Sequence, residues 1–122
     1  MDNVKETSSL IAGSMVSGAN VYNRDGENIG AIHDVMIDKK MGKIAYALMS
    51  FGGFLGVGKN YHPLPWSLLK YDTMLGGYLV DLSKTQLEGA PSYPADTPPD
   101  FADRSQETEL HRYYGVGPYW MP

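Results

Sequence analysis

Three histidines, a lysine behind a run of glycines and two carboxylates on one strand are the residues through which this chain could do chemistry. Gly53-Phe54-Leu55-Gly56-Val57-Gly58-Lys59-Asn60 spells a phosphate-binding loop up to its last position, where a serine or threonine hydroxyl should reach magnesium. Asn60 stands there instead. Such a loop also needs a helix behind it, so that amides and dipole face the phosphates, and Tyr61-His62-Pro63-Leu64-Pro65 puts two prolines where the helix would begin. A glycine-rich turn is the better reading, and no nucleotide or other cofactor is implied.

His33, His62 and His111 with Asp34 and Asp38 raise the question of a metal site. His33 and Asp34 are neighbours on a strand and point to opposite faces, and no pair has the spacing of a known ligand set, so the histidines read as structural. Asp34 and Asp38 lie more than about 10 Å apart along the strand, too far for a glycosidase pair. No Gly-x-Ser-x-Gly elbow occurs. The residues therefore predict neither catalysis nor a metal; a small enzyme with a site around His33, Asp34 and His62 is the alternative of a different class. An aspartate within an apolar strand must be hydrogen-bonded or exposed, and Asp34 is expected to accept hydrogen bonds in a structural role.

The elements that would position these groups are short and strand-like. Between Asn20 and Leu82, runs rich in Val, Ile, Tyr and Leu are punctuated by Asp25-Gly26, Met41-Gly42, Gly52-Gly53 and Gly76-Gly77, the pattern of antiparallel hairpins in a small all-β barrel or sandwich. In the second run Ile29, Ala31, His33, Val35 and Ile37 fall on one face, read as inward, with Gly30, Ile32, Asp34, Met36 and Asp38 opposite. Gly30, inside that strand, marks a bulge, a bend or a close backbone approach. The next run, Ile44 to Phe51, is apolar on both faces, so a second subunit or the chain's own tail must cover its outer side. Trp66, after Pro65, is expected to plug one end of the barrel, with ligand stacking as the alternative.

Beyond the strands, Ser83 and Gln86 form a capping-box pair for a short helical turn that Gly89 stops. Ala90 to Pro99 reads as an extended, proline-rich linker outside any sheet or helix, which divides the chain into a barrel over 1–89 and an arm over 90–122. Within the arm, Asp103 caps a helix over Arg104 to Tyr114 that Gly115 ends, with Leu110, Tyr113 and Tyr114 placed on one face. Six of the chain's fourteen aromatic residues lie beyond residue 90. A disordered acidic tail would be poor in them. The cluster of Tyr113, Tyr114, Tyr119 and Trp120 either folds back on its own barrel or docks on another chain, and the sequence leaves both open.

At 122 residues a single core needs no staples, and with no cysteine there are no disulfides or thiolate metal sites. The net charge of −4 is uneven, with nine acidic and eight basic residues up to position 90 against five and two beyond it. No basic stripe exists, so direct DNA binding is not expected. Lys39, Lys40 and Lys43 read as a solvated turn. Met1 to Met15 lacks a signal-peptide pattern and no apolar run could cross a bilayer, so the expectation is a cytoplasmic protein without a transmembrane segment.

Two stretches carry a likeness to a known family. Val21-Tyr22-Asn23-Arg24-Asp25-Gly26-Glu27-Asn28-Ile29-Gly30-Ala31-Ile32-His33-Asp34-Val35-Met36-Ile37-Asp38 resembles the opening hairpin of the PRC-barrel domain, with Gly30 and Asp34 as its glycine and following aspartate. Phe51-Gly52-Gly53-Phe54-Leu55-Gly56-Val57-Gly58, leading into Leu64-Pro65-Trp66, is similar to that family's glycine-rich turn and Pro-Trp corner, with Gly53, Pro65 and Trp66 in those places. The resemblance implies a small antiparallel PRC-type β-barrel, here followed by a short helical turn and a C-terminal arm containing a helix. Family barrels occur in the photosynthetic reaction-centre H subunit and in a ribosome-maturation factor, which implies docking on a membrane electron-transfer complex or a ribosomal particle. The expected function is a non-catalytic adaptor that forms a homo-oligomer, a dimer, and binds an unknown protein through Leu110, Tyr113, Tyr114, Tyr119 and Trp120.

Overall fold

Short links between strands decide the shape of this molecule. The computed structural model describes residues 6–7, 9–51, 60–94, 97 and 101–120. Helix α1 (Gly13–Val16) precedes β1 (Asn20–Tyr22), the long pair β2 (Asn28–Asp38) and β3 (Lys43–Phe51), and β4 (Asn60–Pro65). A 3-10 turn (Trp66–Leu68) leads to β5 (Leu69–Asp72) and β6 (Gly77–Val80), then α2 (Lys84–Glu88), β7 (Tyr93–Pro94) and α3 (Arg104–Tyr114). All seven strands join one sheet in the order β5-β6-β1-β2-β3-β4-β7. In a flat sheet of that order β4 and β5 would stand about 24 Å apart. Only the three residues Trp66–Leu68 join them, a span of about 6 Å. The sheet is therefore rolled, but its edge strands β5 and β7 do not pair with each other among the described residues, and the roll stays open there.

One ladder departs from the expected antiparallel arrangement. β1 and β6 run parallel, with Val21 opposite Tyr78 and Tyr22 opposite Leu79. They are not hairpin partners, so the intervening strands can return the chain in the same direction.

The even alternation expected along β2 is also broken. Tyr22 pairs with Asn28 and Val21 with Gly30, leaving Ile29 as the extra residue against β1; Ile32 pairs with Met49 and Asp34 with Leu48, leaving His33 extra against β3. Each bulge swaps the faces of the residues after it. The inward pair is thus Ile29 and Ile32, while His33 and Ile37, expected inside, are exposed. Ile29 and Ile32 belong, with Val21, Met49, Leu64, Val80 and Leu87, to one core that draws on β1 to β6, α1 and α2.

The outer side of β3 is covered by the chain itself. Ala45 and Tyr46 pack with Leu110 of α3, and Phe101, Tyr114 and Tyr119 close around them. The arm reaches this place along a segment that does enter the sheet: Tyr93 pairs with Tyr61 and Pro94 with Asn60, against the expectation of a linker outside any strand. Proline is tolerated because β7 is an edge strand, with one side free of ladder bonds among the described residues. Both helix starts follow local chemistry. The Ser83 hydroxyl and Gln86 side chain satisfy each other's backbone N–H groups at 3.1 and 2.8 Å, and the Asp103 carboxylate accepts from the Ser105 N–H at 3.0 Å. Gly115, at φ 70°, closes α3 in the left-handed conformation that favours glycine.

Candidate functional site

The inward stripe of α3 is buried Glu107, Leu110 and His111 with half-buried Tyr114, spaced i, i+3, i+4 and i+7 along the helix. Two of its four members are polar. Tyr46 on β3 meets both, donating its hydroxyl hydrogen to Glu107 Oε1 at 2.8 Å and standing 3.0 Å from His111 Nε2. A hydroxyl has one hydrogen to give, so the imidazole donates from Nε2 and the tyrosine oxygen accepts. Arg104 Nη1 reaches the other carboxylate oxygen of Glu107 at 3.3 Å, and its guanidinium lies 3.9 Å over the Trp120 ring. Tyr46 is also held by rings on three sides: Phe101 stacked at 5.4 Å, Tyr119 edge-on at 5.5 Å and His111 tilted at 5.5 Å.

Burial governs the protonation of this group. It pushes the Tyr46 hydroxyl far above the usual phenol range, and the Glu107 carboxylate beside it pushes the same way. The His111 ring is held below the ordinary histidine range, again mainly by burial, with the Glu107 charge and the nearby Gly117 and Val116 backbone opposing. Its Nδ1 is buried without a hydrogen bond of good geometry. Tyr46, Glu107 and His111 are each no more than 4% exposed, so their proton-sharing contacts are sealed beneath the arm and act as a fastening between α3 and β3.

Of the residues singled out from the sequence, Leu110, Tyr114, Tyr119 and Trp120 come together here. Leu110 and Tyr114 pack on Ala45 and Tyr46, and Trp120 sets its ring edge-on to His111 at 5.4 Å. Tyr113 touches only the edge of this group, meeting the Tyr114 ring at 5.1 Å. It leaves the inward stripe, is 45% exposed, and donates its hydroxyl hydrogen to the Gln86 carbonyl at 2.6 Å, tying α3 to α2. Glu107, Arg104 and Tyr46 escaped attention in the sequence, although the spacing from Glu107 to His111 places both on the face that carries Leu110.

The strand residues stay apart from one another. His33 is exposed and stacks on Tyr61 at 4.3 Å, Asp34 is exposed and accepts from the Val35 N–H at 2.8 Å, and His62 is buried with a backbone hydrogen bond to Pro91. Burial lowers the His62 pKa, and the Pro91 bond works against it. Among the described residues no three His, Asp or Glu side chains gather into a set that could hold a metal ion. Gly30 pairs with Val21 and donates its N–H to Asn28 Oδ1 at 3.1 Å; Pro65 is fully buried at the end of β4; half-buried Trp66 meets Tyr78 edge-on at 5.2 Å. Gly53 and the loop from Gly52 to Lys59 lie outside the described residues.

Between β7 and α3 the arm forms a groove of about 700 Å³, walled by Pro63, Tyr93, Pro94, Phe101, Gln106 and Leu110 among others. Its surface is mostly apolar, with Ser92, Thr97, Ser105, Gln106, Glu107 and Glu109 as the polar residues of the lining. No helix among the described residues is long and apolar enough to cross a membrane. No curated protein matches the chain. The family model for the PRC-barrel domain, however, matches residues 10–87, from the segment before α1 through β6 and into α2. That match spans the whole six-stranded core, and the chain belongs to the PRC-barrel domain family.

Proposed function

We propose that this chain is a non-catalytic protein-interaction module, an adaptor that holds an apolar segment of a partner in the groove between β7 and α3. The observation that carries this reading is the groove itself. It is large enough for several side chains, mostly apolar, and built by the arm over 90–122 that follows the family core. The acid–base groups nearest to it are engaged with each other, which supports binding over catalysis.

A homodimer is the simplest assembly for such a module. It is supported by the outer edge of β5, unpaired among the described residues, and by exposed Tyr71 and Met74 beside it, at 37% and 93%. An edge strand of this kind pairs readily with its own copy across a two-fold axis. Light scattering on the pure chain should give twice the monomer mass. Gln106→Arg sets a charge at the groove without touching the buried fastening, so a partner captured by the unmodified chain from cell extract should be lost with melting unchanged. A monomer that captures the same proteins with and without Gln106→Arg contradicts the proposal.

A further inference from the structure

β2 and β3 are the longest strands, and at their turn they outrun their neighbours. β1 ends against Ala31 and β4 ends against Tyr46, the partner of Met36, so from Ile37 to Ile44 the hairpin is a ribbon of two strands with no third strand on either side among the described residues. The tip has a fixed shape. Asp38 Oδ1 accepts from the Lys40 and Met41 N–H groups at 3.0 and 3.3 Å, and Gly42, at φ 74°, returns its N–H to the Asp38 carbonyl at 2.8 Å.

On this ribbon Ile37 is 56% exposed and Met41 54%, with Met36 at its base 37% exposed. Folding gives no reason for them, because a bare hairpin has nothing to bury them against. Beside them stand exposed Lys39, Lys40 and Lys43, three of the ten basic residues of a chain whose net charge is −4. The acidic groups nearby are few: Asp38 turns its carboxylate into the turn, and Asp34, farther down β2, holds the Val35 N–H.

We propose that this hairpin tip docks the protein on an anionic lipid surface, with Ile37 and Met41 entering the headgroup boundary and the three lysines meeting lipid phosphates. Charge complementarity names the occupant, since a basic tip on an otherwise acidic body is drawn to an anionic bilayer tip first. The shape favours lipid over a folded protein. A convex ribbon two strands wide offers far less than the roughly 800 Å² per partner that a stable protein interface buries, while a bilayer moulds around it. Lysine stems lie along the apolar boundary with their ammonium groups at the phosphates. The proposal concerns a surface separate from the groove and stands without it.

The test is sedimentation of the full chain with vesicles of phosphatidylcholine carrying phosphatidylglycerol, against vesicles of phosphatidylcholine alone. The chain should bind the first and not the second, and rising salt should release it. Lys39→Ala with Lys40→Ala should weaken binding about 25-fold, about fivefold for each lysine. Ile37→Ser with Met41→Ser should weaken it about tenfold with the charge unchanged. All four positions are exposed, and melting temperature and circular dichroism verify that each variant folds. Failure of the unmodified chain to bind phosphatidylglycerol vesicles, or equal binding by the variants, overturns the proposal. Capture of polyglutamate by the tip without vesicle binding overturns it in favour of an acidic protein partner.

Discussion

Tyr46 concentrates what is unusual in this molecule, because its hydroxyl satisfies a buried carboxylate and a buried imidazole at once. Removing it takes a partner from each. Tyr46→Phe keeps the ring contacts but leaves Glu107 with Arg104 alone, so the fold should lose about 1–3 kcal/mol in denaturant unfolding. Glu107→Gln should lose less in the Tyr46→Phe background than alone, and strict additivity would show that the two side chains do not interact. The histidines set the pH response. Burial holds His62 and His111 below the ordinary range, so the unfolded chain takes up protons that the folded chain refuses. Stability from these rings is complete above the unfolded-state value of about 6.5 and declines as pH falls below it towards the depressed folded-state values. Melting temperature should therefore drop from about pH 7 towards pH 5.5, and less steeply in His111→Gln; a flat profile over that window contradicts this assignment.

At the level of elements, pieces governed by neighbouring residues were legible and pieces governed by distant ones were not. The capped starts of α2 and α3 and the glycine end of α3 follow from residues within a turn of each other, and the structure has them where the sequence puts them. The bulges at Ile29 and His33 depend on register against other strands, so alternation along β2 put Ile29 and Val35 toward the core but missed Ile32 and wrongly placed His33 and Ile37 inside. The apolar character of Ile44 to Phe51 announced a covered outer face, yet left open whether the cover came from the same chain. The sealed group around Glu107 stayed hidden because a glutamate on an isolated helix reads as a solvated one. Gly77 is a further case. The sequence marks it only as a turn residue, while in the fold a Cβ there would stand 2.6 Å from the Asn20 carbonyl oxygen and 2.9 Å from the Tyr22 ring. A ring can turn aside, but the carbonyl belongs to the backbone of β1. Gly77→Ala should force β6 off β1 and cost about 1–3 kcal/mol, whereas unchanged unfolding would mean that the parallel ladder yields without loss.

Over the whole molecule, a rolled sheet of the PRC-barrel family carries an arm that covers the outer side of one strand and shapes a groove with its own edge strand. The charge divides in the same way, near neutral up to residue 90 and acidic beyond. The proposed groove presupposes that the arm is seated: it exists only between β7 and α3, and a loose arm would bare Ala45 and Tyr46. The most direct measurement is therefore made on a chain ended at Pro91, compared with the full chain by melting, by binding of a dye that lights up on apolar surface, and by mass in light scattering. If the arm is part of the fold, the shortened chain melts lower by on the order of ten degrees, binds more dye and gains mass by self-association. A shortened chain with the same melting temperature, dye binding and mass as the full one would contradict the account.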